Sequence, residues 1–511
     1  MKQIKKMGKA LVFGLLASAA LASCNRGGTT GAGDVDTTLP EDDPTSAVTI
    51  PFWNCLGHAK STVLDTIIDG FNKEYEGKYK LENVKLAGDY DALADQTRTK
   101  LASGEMPALI MGYPDNFSTY IGKTLSNSAL LRLDNFINDT KFGYTKEELA
   151  DFVPAFLEEG NDFQFEGTWS MPMYKSTEAM YYNASYFAGA NKQTAKKFEA
   201  NAEKKTTYAE KLETANSEKA TDEELASFKT WVKENGGYTY EVPETWEEMV
   251  ATSRKMLADM KTEGVSDEFY PVGYDSDSNL MISQMAMRGI PYTTNENINK
   301  PSDHIVFKND QTKALIEELS GLINDRILIT KGVLQGNYTN KYFTAVKSAM
   351  SIGSTGGSSY QVSSNFAVRL APVPHPEGKE AKYIQQGPSI AFFNNGNSYI
   401  HKGAWLFYKY MADPLNNAKL ALQNSYDPVR SSSFETDAYK NWVAQKDKGL
   451  NYAIPALTGK LRQNYMTSSV FLGSEKARTE IGNTLKYVVG SKMSVDAALQ
   501  TAYNQTIKNT K

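Results

Sequence analysis

From residue 48 the apolar positions fall into two alternating rhythms. Val48-Thr49-Ile50-Pro51-Phe52-Trp53 is rich in β-branched and aromatic side chains and predicts a first strand, with Pro51 pointing to an edge or a strand end. Leu64, Ile67, Ile68 and Phe71 then recur at helical spacing, with Ser61 as the N-cap. A short strand is expected near Val84-Lys85-Leu86. Gly88-Asp89-Tyr90 opens a second helix carrying Leu93, Thr97 and Leu101 and stopped by Gly104, and residues 107–113 read as a third strand. This alternation is that of a parallel α/β sheet. Such sheets bind ligands at the carboxyl ends of their strands, which puts Trp53, Tyr90 and Tyr113 at a candidate site.

The rhythm changes between 191 and 240. Lysines and glutamates nearly balance there, and Thr221-Asp222-Glu223-Glu224 is a capping box ahead of Leu225, Phe228 and Val232 on one face. The stretch reads as a helical surface insertion with a solvated charged face. A second capping box, Thr245-Trp246-Glu247-Glu248, opens the next helix, with Trp246 assigned to packing.

The N-terminus carries Lys2, Lys5, Lys6 and Lys9, then an apolar run from Ala10 to Ala20 too short to span a bilayer. Residues 1–23 read as a signal peptide. Leu21-Ala22-Ser23-Cys24 resembles the bacterial lipobox, which implies lipidation of Cys24, removal of what precedes it and an extracytoplasmic protein anchored to the cell membrane. Residues 24–46, rich in Gly, Thr and Asp, are expected to be a flexible tether. Cys55 is then the only other cysteine, so no disulfide framework is expected, and a buried inert thiol is its expected state.

With 511 residues the chain suggests two or three domains, and 41% hydrophobic with 23% charged residues is ordinary for a folded soluble protein. A formal charge of −5 argues against a nucleic-acid surface. His58, His304, His375 and His401 lie far apart and show no metal-ligand spacing, so no metal or other cofactor is expected. No serine-hydrolase signature is present, and the many carboxylates single out no catalytic pair. The chemistry-like stretch is SIGSTGGSSYQV, residues 351–362. It lacks the lysine of a nucleotide-binding loop, and Ser354 directly follows Gly353, which breaks the G-x-S-x-G pattern. As a strand (Ala349–Ile352) running into Gly353-Ser354-Thr355-Gly356-Gly357, with Ser358 and Ser359 capping a helix through Val362, it offers backbone N–H groups to an anion or to hydroxyls. A plain glycine turn is the alternative.

TIPFWNCLGHAK, AGDYDALADQTRTKLASGEMPALIMGY, WSMPMYKSTEAMYYNASYFAGA, VPETWEEM, YFTAVKSAMSIGSTGG, LAPVPHPEG and YDPVRSSSF follow one another in the order and spacing of a known family. The chain resembles the extracellular solute-binding proteins (family 1) of bacterial ABC importers, over about residues 47–511 apart from the insertion, and is most similar to the glycerol-3-phosphate- and sugar-binding type. The resemblance implies an α/β fold of two lobes, each a mixed sheet flanked by helices, with the ligand cleft between them. Lobe one would comprise 47–153 and 388–430, and lobe two 154–387, with the insert, and the C-terminal helices of 431–511. It also implies ligand contacts at Tyr90, Ser176, Ser354, Gly387 and Tyr426. The family's glutamate falls on Pro114, with Asp115 beside it as a substitute, and its C-terminal arginine falls on Arg478 across a one-residue gap. The implied function is capture of a sugar, polyol or glycerol-phosphate-type solute by lobe closure, as a non-enzymatic monomer that delivers it to an ABC permease. An extracytoplasmic carbohydrate-active or phosphoester hydrolase is the alternative. The sequence does not specify the solute or whether it is phosphorylated.

Overall fold

The computed structural model describes residues 35–510, so the expected signal peptide and Cys24 lie outside the described residues. Strands follow along the chain as β1 (Val48–Asn54), β2 (Tyr79–Lys85), β3 (Leu109–Gly112), β4 (Met171–Pro172), β5 (Glu178–Asn183), β6 (Val272–Tyr274), β7 (Leu328–Thr330), β8 (Met350–Ser354), β9 (Val368–Ala371), β10 (Tyr383–Ile384), β11 (Ser389–Phe392) and β12 (Tyr465–Met466). Two five-stranded mixed sheets result, ordered β2-β1-β3-β11-β4 and β7-β6-β8-β5-β9, with helices packed around each. In the first, β1 runs parallel to β2 and β3, and β11 is antiparallel to β3 and β4. In the second, β8 runs parallel to β6 and antiparallel to β5.

Burial explains the first lobe. Ile50 and Phe52 of β1 are fully buried, and the helix His58–Glu74 lays Leu64, Ile67, Ile68 and Phe71 against the sheet. Phe71 meets Phe407 edge-on at 5.3 Å, tying that helix to Ser398–Met411. Ser61 does not cap the helix. The chain enters it four residues earlier, at Gly57, and the buried Ser61 hydroxyl donates to Asp65 at 3.0 Å. Pro51 lies inside a central strand rather than at an edge. β3 pairs with β1 only from Phe52 onward, and Pro51 itself contributes its carbonyl, to Ala108 N–H at 2.9 Å.

Two expected boundaries move. Pro154 opens a short helix, Pro154–Glu158, and is not a lobe boundary; β4 still pairs with β11 in the first sheet, so the chain leaves that lobe only through residues 173–177. Residues 35–46, expected to be a flexible tether, pack on the first lobe. Val35 and Leu39 are buried there. Asp36 is paired with Arg132, and Asp43 with Lys78 and Lys402 at 2.7 and 3.0 Å. Two apolar anchors and two paired carboxylates hold a segment whose average composition is polar.

The chain crosses between lobes three times. Residues 173–177 lead out and 385–388 lead back; the stretch around Asp427 pairs with the first of these, and the chain stays on the first lobe through Arg430, bonded to Asp151, and the helix Asp437–Val443 before the helix Leu450–Leu461 meets β9 of the second sheet. Lys175 and Asp427 exchange backbone hydrogen bonds at 3.0 and 2.6 Å, and Ser176 and Gln386 do so at 2.8 Å each way. The helices Ser474–Val489 and Val495–Asn509 then close the second lobe against Asp277–Arg288 and Asp310–Asn324. The insertion forms the helices Lys192–Phe198, Ala202–Ala215 and Asp222–Glu234, with a small core of its own including Phe198, Tyr208, Phe228 and Val232. Both expected capping boxes are present. Trp246 is buried and donates its indole N–H to Glu318 at 3.2 Å.

Candidate ligand cleft

A cavity of about 1090 Å³ lies between the lobes and is lined from both. The first lobe offers helix starts at the carboxyl side of its sheet. Asp89 caps the helix Tyr90–Ala102, accepting from Ala92 N–H at 3.0 Å, which fixes Tyr90 as the first helical residue beside the cavity. Tyr113 precedes the helix Pro114–Ile121, whose proline suits the first turn, and Asp115 follows. The Tyr90 and Tyr113 rings meet edge-on at 4.8 Å, and Tyr174 lies 4.5 Å from Tyr426. Burial pushes all four phenols up. Burial also raises Asp115, with nearby Arg478 opposing it.

The second lobe offers the end of β8. Ser354 is its last residue, its carbonyl accepting from Tyr181 O–H at 3.0 Å. Thr355–Tyr360 is one 3-10 segment rather than a capped α-helix, held by Thr355 N–H on Thr177 O at 2.8 Å. On the helix Ser474–Val489, Arg478 donates to Asn279, Asn279 donates to Glu178 at 2.6 Å, and Tyr274 O–H donates to the other Glu178 oxygen at 2.5 Å. Burial pushes the Glu178 carboxyl up to about 7, against the pull of those donors.

Contacts that join the lobes across the cleft include two with charged side chains. Lys60 donates to the Gly356 carbonyl at 3.2 Å, and Arg98 pairs with Glu475 at 3.3 Å. In the hinge, Lys175 is fully buried. It pairs with Glu159 and donates to Ser389 Oγ at 2.8 Å and to the Gly387 carbonyl at 3.3 Å.

Tyr90, Asp115, Ser354, Tyr426 and Arg478 line this cavity together. Ser176 and Gly387 stand behind the wall, in the crossing segments. Gly387 has φ +95°, and a Cβ there would lie 2.6 Å from the Tyr174 carbonyl, so its glycine serves the crossing. Trp53 is buried off the cavity. Sequence reasoning missed Asn116, Glu159, Glu178, Gln361 and Gln385, which also line it. Gln385 sits two residues before the glycine that the resemblance singled out, and Glu178 lies inside a quoted motif. Among the described residues no cluster of His, Cys, Asp and Glu is arranged to hold a metal ion. The Cys55 thiol is half-buried and pushed up to about 12, chiefly by burial, so it is a poor nucleophile.

Two α/β lobes, three crossings and a polar, tyrosine-rich cleft between them define a two-lobed solute-binding protein. The chain belongs to the bacterial extracellular solute-binding protein family, whose profile matches residues 66–447. It is 20% identical over 461 residues to the sn-glycerol-3-phosphate-binding periplasmic protein UgpB of Pectobacterium atrosepticum, covering 89% of this chain and 90% of that protein. Among solved structures, it is similar to the cyclic α-maltosyl-1,6-maltose binding protein from Arthrobacter globiformis, with a TM-score of 0.63, 15% identity and coverage of 91% and 99% of the two chains. It is also similar to UgpB from Mycobacterium tuberculosis, solved in complex with glycerophosphocholine, with a TM-score of 0.62, 17% identity and coverage of 90% and 98%. At these identities the structural likenesses establish the fold. Extracellular solute binding is the class of activity that the family establishes.

Proposed function

We propose that this chain is the lipid-anchored receptor of an ABC importer, which captures a sugar, polyol or glycerol-phosphate-type solute and presents its closed form to a membrane permease. The observation that carries the reading is the cavity of about 1090 Å³ built by both lobes around clustered tyrosines and unspent polar groups. Closure brings Tyr90, Tyr113 and Asp115 from one side towards Ser354 and Arg478 from the other, around Tyr426. Ligand bridging the two faces favours the closed state by its differential affinity for it. Hydroxyl or phosphoryl oxygens are held by hydrogen bonds, and no bond of the solute is broken. Anchoring is assigned to Cys24 on the lipobox-like Leu21-Ala22-Ser23-Cys24.

Thermal-shift screening against sugars, polyols and glycerophosphate compounds, followed by calorimetry, tests the reading, because a ligand selective for the folded state stabilises it. One solute should bind stoichiometrically and be recovered unchanged. Turnover of a glycoside or phosphoester, abolished by changing one cleft carboxylate, would establish the hydrolase instead. Mass spectrometry of membrane fractions should find acylated Cys24, and Cys24→Ala should leave unprocessed or soluble protein. Wild-type protein without lipid would refute the anchor.

A further inference from the structure

Residues 35–43 form a strap across one end of the first lobe. Val35 and Leu39 are buried in its core. Both oxygens of the Asp36 carboxylate accept from Arg132, at 2.6 and 2.5 Å, and the Asp36 carbonyl accepts from Asn135 at 2.9 Å. The Glu41 carbonyl accepts from Lys141 at 3.0 Å. Asp42 accepts from the Tyr399 hydroxyl at 2.9 Å through its side chain and from Lys402 at 2.8 Å through its carbonyl. Lys402 and Lys78 both pair with Asp43. The Lys402 side chain is 1% exposed, so the strap supplies the partners of a buried charge, and detaching it would strand that charge. The segment is held along its whole length, by burial and by charge.

The strap lies at the end of the lobe farthest from the cleft. Lys78 and Tyr79 stand at the start of β2, level with Val48 at the start of β1. Arg132 follows Leu131, whose N–H donates to the carbonyl of Phe392, the partner of Leu109 at the start of β3. Tyr399 and Lys402 are near the start of the helix Ser398–Met411, which leaves from the same end. The parallel strands run from there towards Tyr90 and Tyr113 at the cleft. The insertion occupies the opposite pole of the molecule. β5 runs antiparallel to β8 and away from the cleft to Asn183, whose N–H donates to Ala349 just ahead of β8, and the insertion helices follow.

Chain length gives this placement a consequence. Ten residues, 25–34, separate Cys24 from Val35. A chain spans at most about 3.3–3.6 Å per residue, so the anchor can lie no more than about 40 Å from the strap. Were the strap not held, the same limit measured from Cys24 to Val48 would be about 80 Å. A compact chain of this length has a radius of gyration of about 23 Å and a width of about 60 Å. The strap therefore brings the reach from above the molecular width to below it. An inverted molecule, with the insertion against the bilayer, would need more chain than the strap leaves.

We infer that residues 35–43 are an orienting strap, which makes the outer end of the first lobe the membrane-facing pole of the receptor and keeps the insertion on the far side. The first lobe is then the lobe tied to the lipid surface, and the second lobe with its insertion is the one that swings when the cleft closes. The inference rests on the proposed acylation of Cys24 and does not depend on which solute is bound.

Energy transfer tests it on the full chain, purified from membranes and reconstituted into phosphatidylcholine vesicles that carry an acceptor-labelled lipid. In a Cys55→Ala background a donor is attached at Lys80→Cys, exposed near the start of β2, or at Glu218→Cys, exposed in the insertion. Transfer from the first site should exceed that from the second roughly twofold or more. Releasing the strap with Asp36→Ala, Leu39→Ser and Asp43→Ala together should bring the two sites towards equal transfer. Inserting about fifteen Gly and Ser residues between positions 34 and 35 should do the same, because it lifts the reach above the molecular width while leaving every strap contact in place. Equal transfer from the two sites in the otherwise wild-type chain would overturn the inference, and so would a difference that survives either change in a folded variant. A chain that carries no lipid and does not float with the vesicles would overturn the anchor and the inference with it, and leave solute capture standing.

Discussion

Gly356 and Tyr426 stand so close that no β-carbon fits between them: a Cβ built on Gly356 would lie 2.5 Å from Tyr426 Cζ and 2.6 Å from its hydroxyl oxygen. The glycine is in the second-lobe loop, and the tyrosine is in the stretch that pairs with the first crossing at Lys175. Gly356→Ala should therefore wedge the closed state open without harming either lobe's core. Overpacking costs about 1–3 kcal/mol, so affinity should fall roughly five- to a hundredfold. Small-angle scattering should show a wider ligand-free particle, and adding Tyr426→Ala should relieve the clash. Unchanged scattering and affinity in Gly356→Ala would show that the contact plays no part in closure.

The loop that looked most like chemistry in the sequence can now be divided. Ser354, Gly356 and Gly357 line the cavity, Gly356 against Tyr426, whereas Gly353 faces Asp275. Ser354→Ala removes one hydroxyl, and losing one buried partner costs about 1–3 kcal/mol. Calorimetry should show binding weakened about five- to a hundredfold. Tyr426→Phe should weaken it similarly through its hydroxyl. If both variants bind as wild type does, the stretch is a turn and the contacts lie elsewhere in the cleft.

The hinge ion pair makes a stability prediction. Lys175 and Glu159 are almost without solvent, with side-chain exposures of 0% and 10%. Breaking a buried pair on one side strands the other charge, at a cost of about 3–5 kcal/mol. Lys175→Met should lower the melting temperature sharply. The double variant Lys175→Met/Glu159→Leu should recover most of the loss, since apolar replacement of a whole pair is close to neutral. Equal melting temperatures for the single and double variants would show that Glu159 is not left uncompensated.

Several helices were readable because they rest on local rules, while strand order depends on long-range pairing that no local rule gives. The helix opened at Gly88-Asp89-Tyr90, two Thr-x-x-Glu boxes and the apolar faces of 58–74 and 222–234 follow from spacing, whereas Ser61 and Ser358 look like caps without capping an α-helix. The cleft was readable only in part. Tyr90 and Tyr113 could be placed because they follow strand ends, while Gln385, Gln361 and Asn116 reach the lining through long-range packing that no local pattern marks. The tether reading failed at 35–46 because two buried side chains and three ion pairs outweigh a polar average. The 153/154 boundary, carried over from the resemblance, moved because β4 at 171–172 still pairs with β11 in the first sheet, a long-range pairing that no local pattern marks.

The pH dependence should centre on a residue far from the ligand. His401 is 3% exposed, packs near the Phe136 ring at 6.5 Å, and has no partner for either ring nitrogen among the described residues. Burial pushes it down to about 4. Its neutral form is the one the fold accepts, so the stability linked to it is complete above the unfolded value of about 6.5. That stability is lost as pH falls from there towards 4, because the unfolded chain takes up a proton that the folded one refuses. Glu178 acts in the opposite sense, its raised carboxyl costing stability as pH rises from the ordinary glutamate range towards 7. A comparison at each pH with His401→Phe isolates the histidine. The variant's melting temperature should gain on wild type as pH drops from 7 to 4, by up to about 3 kcal/mol of stability at the acid end. A difference that stays constant across that range would show that His401 is not the group that titrates.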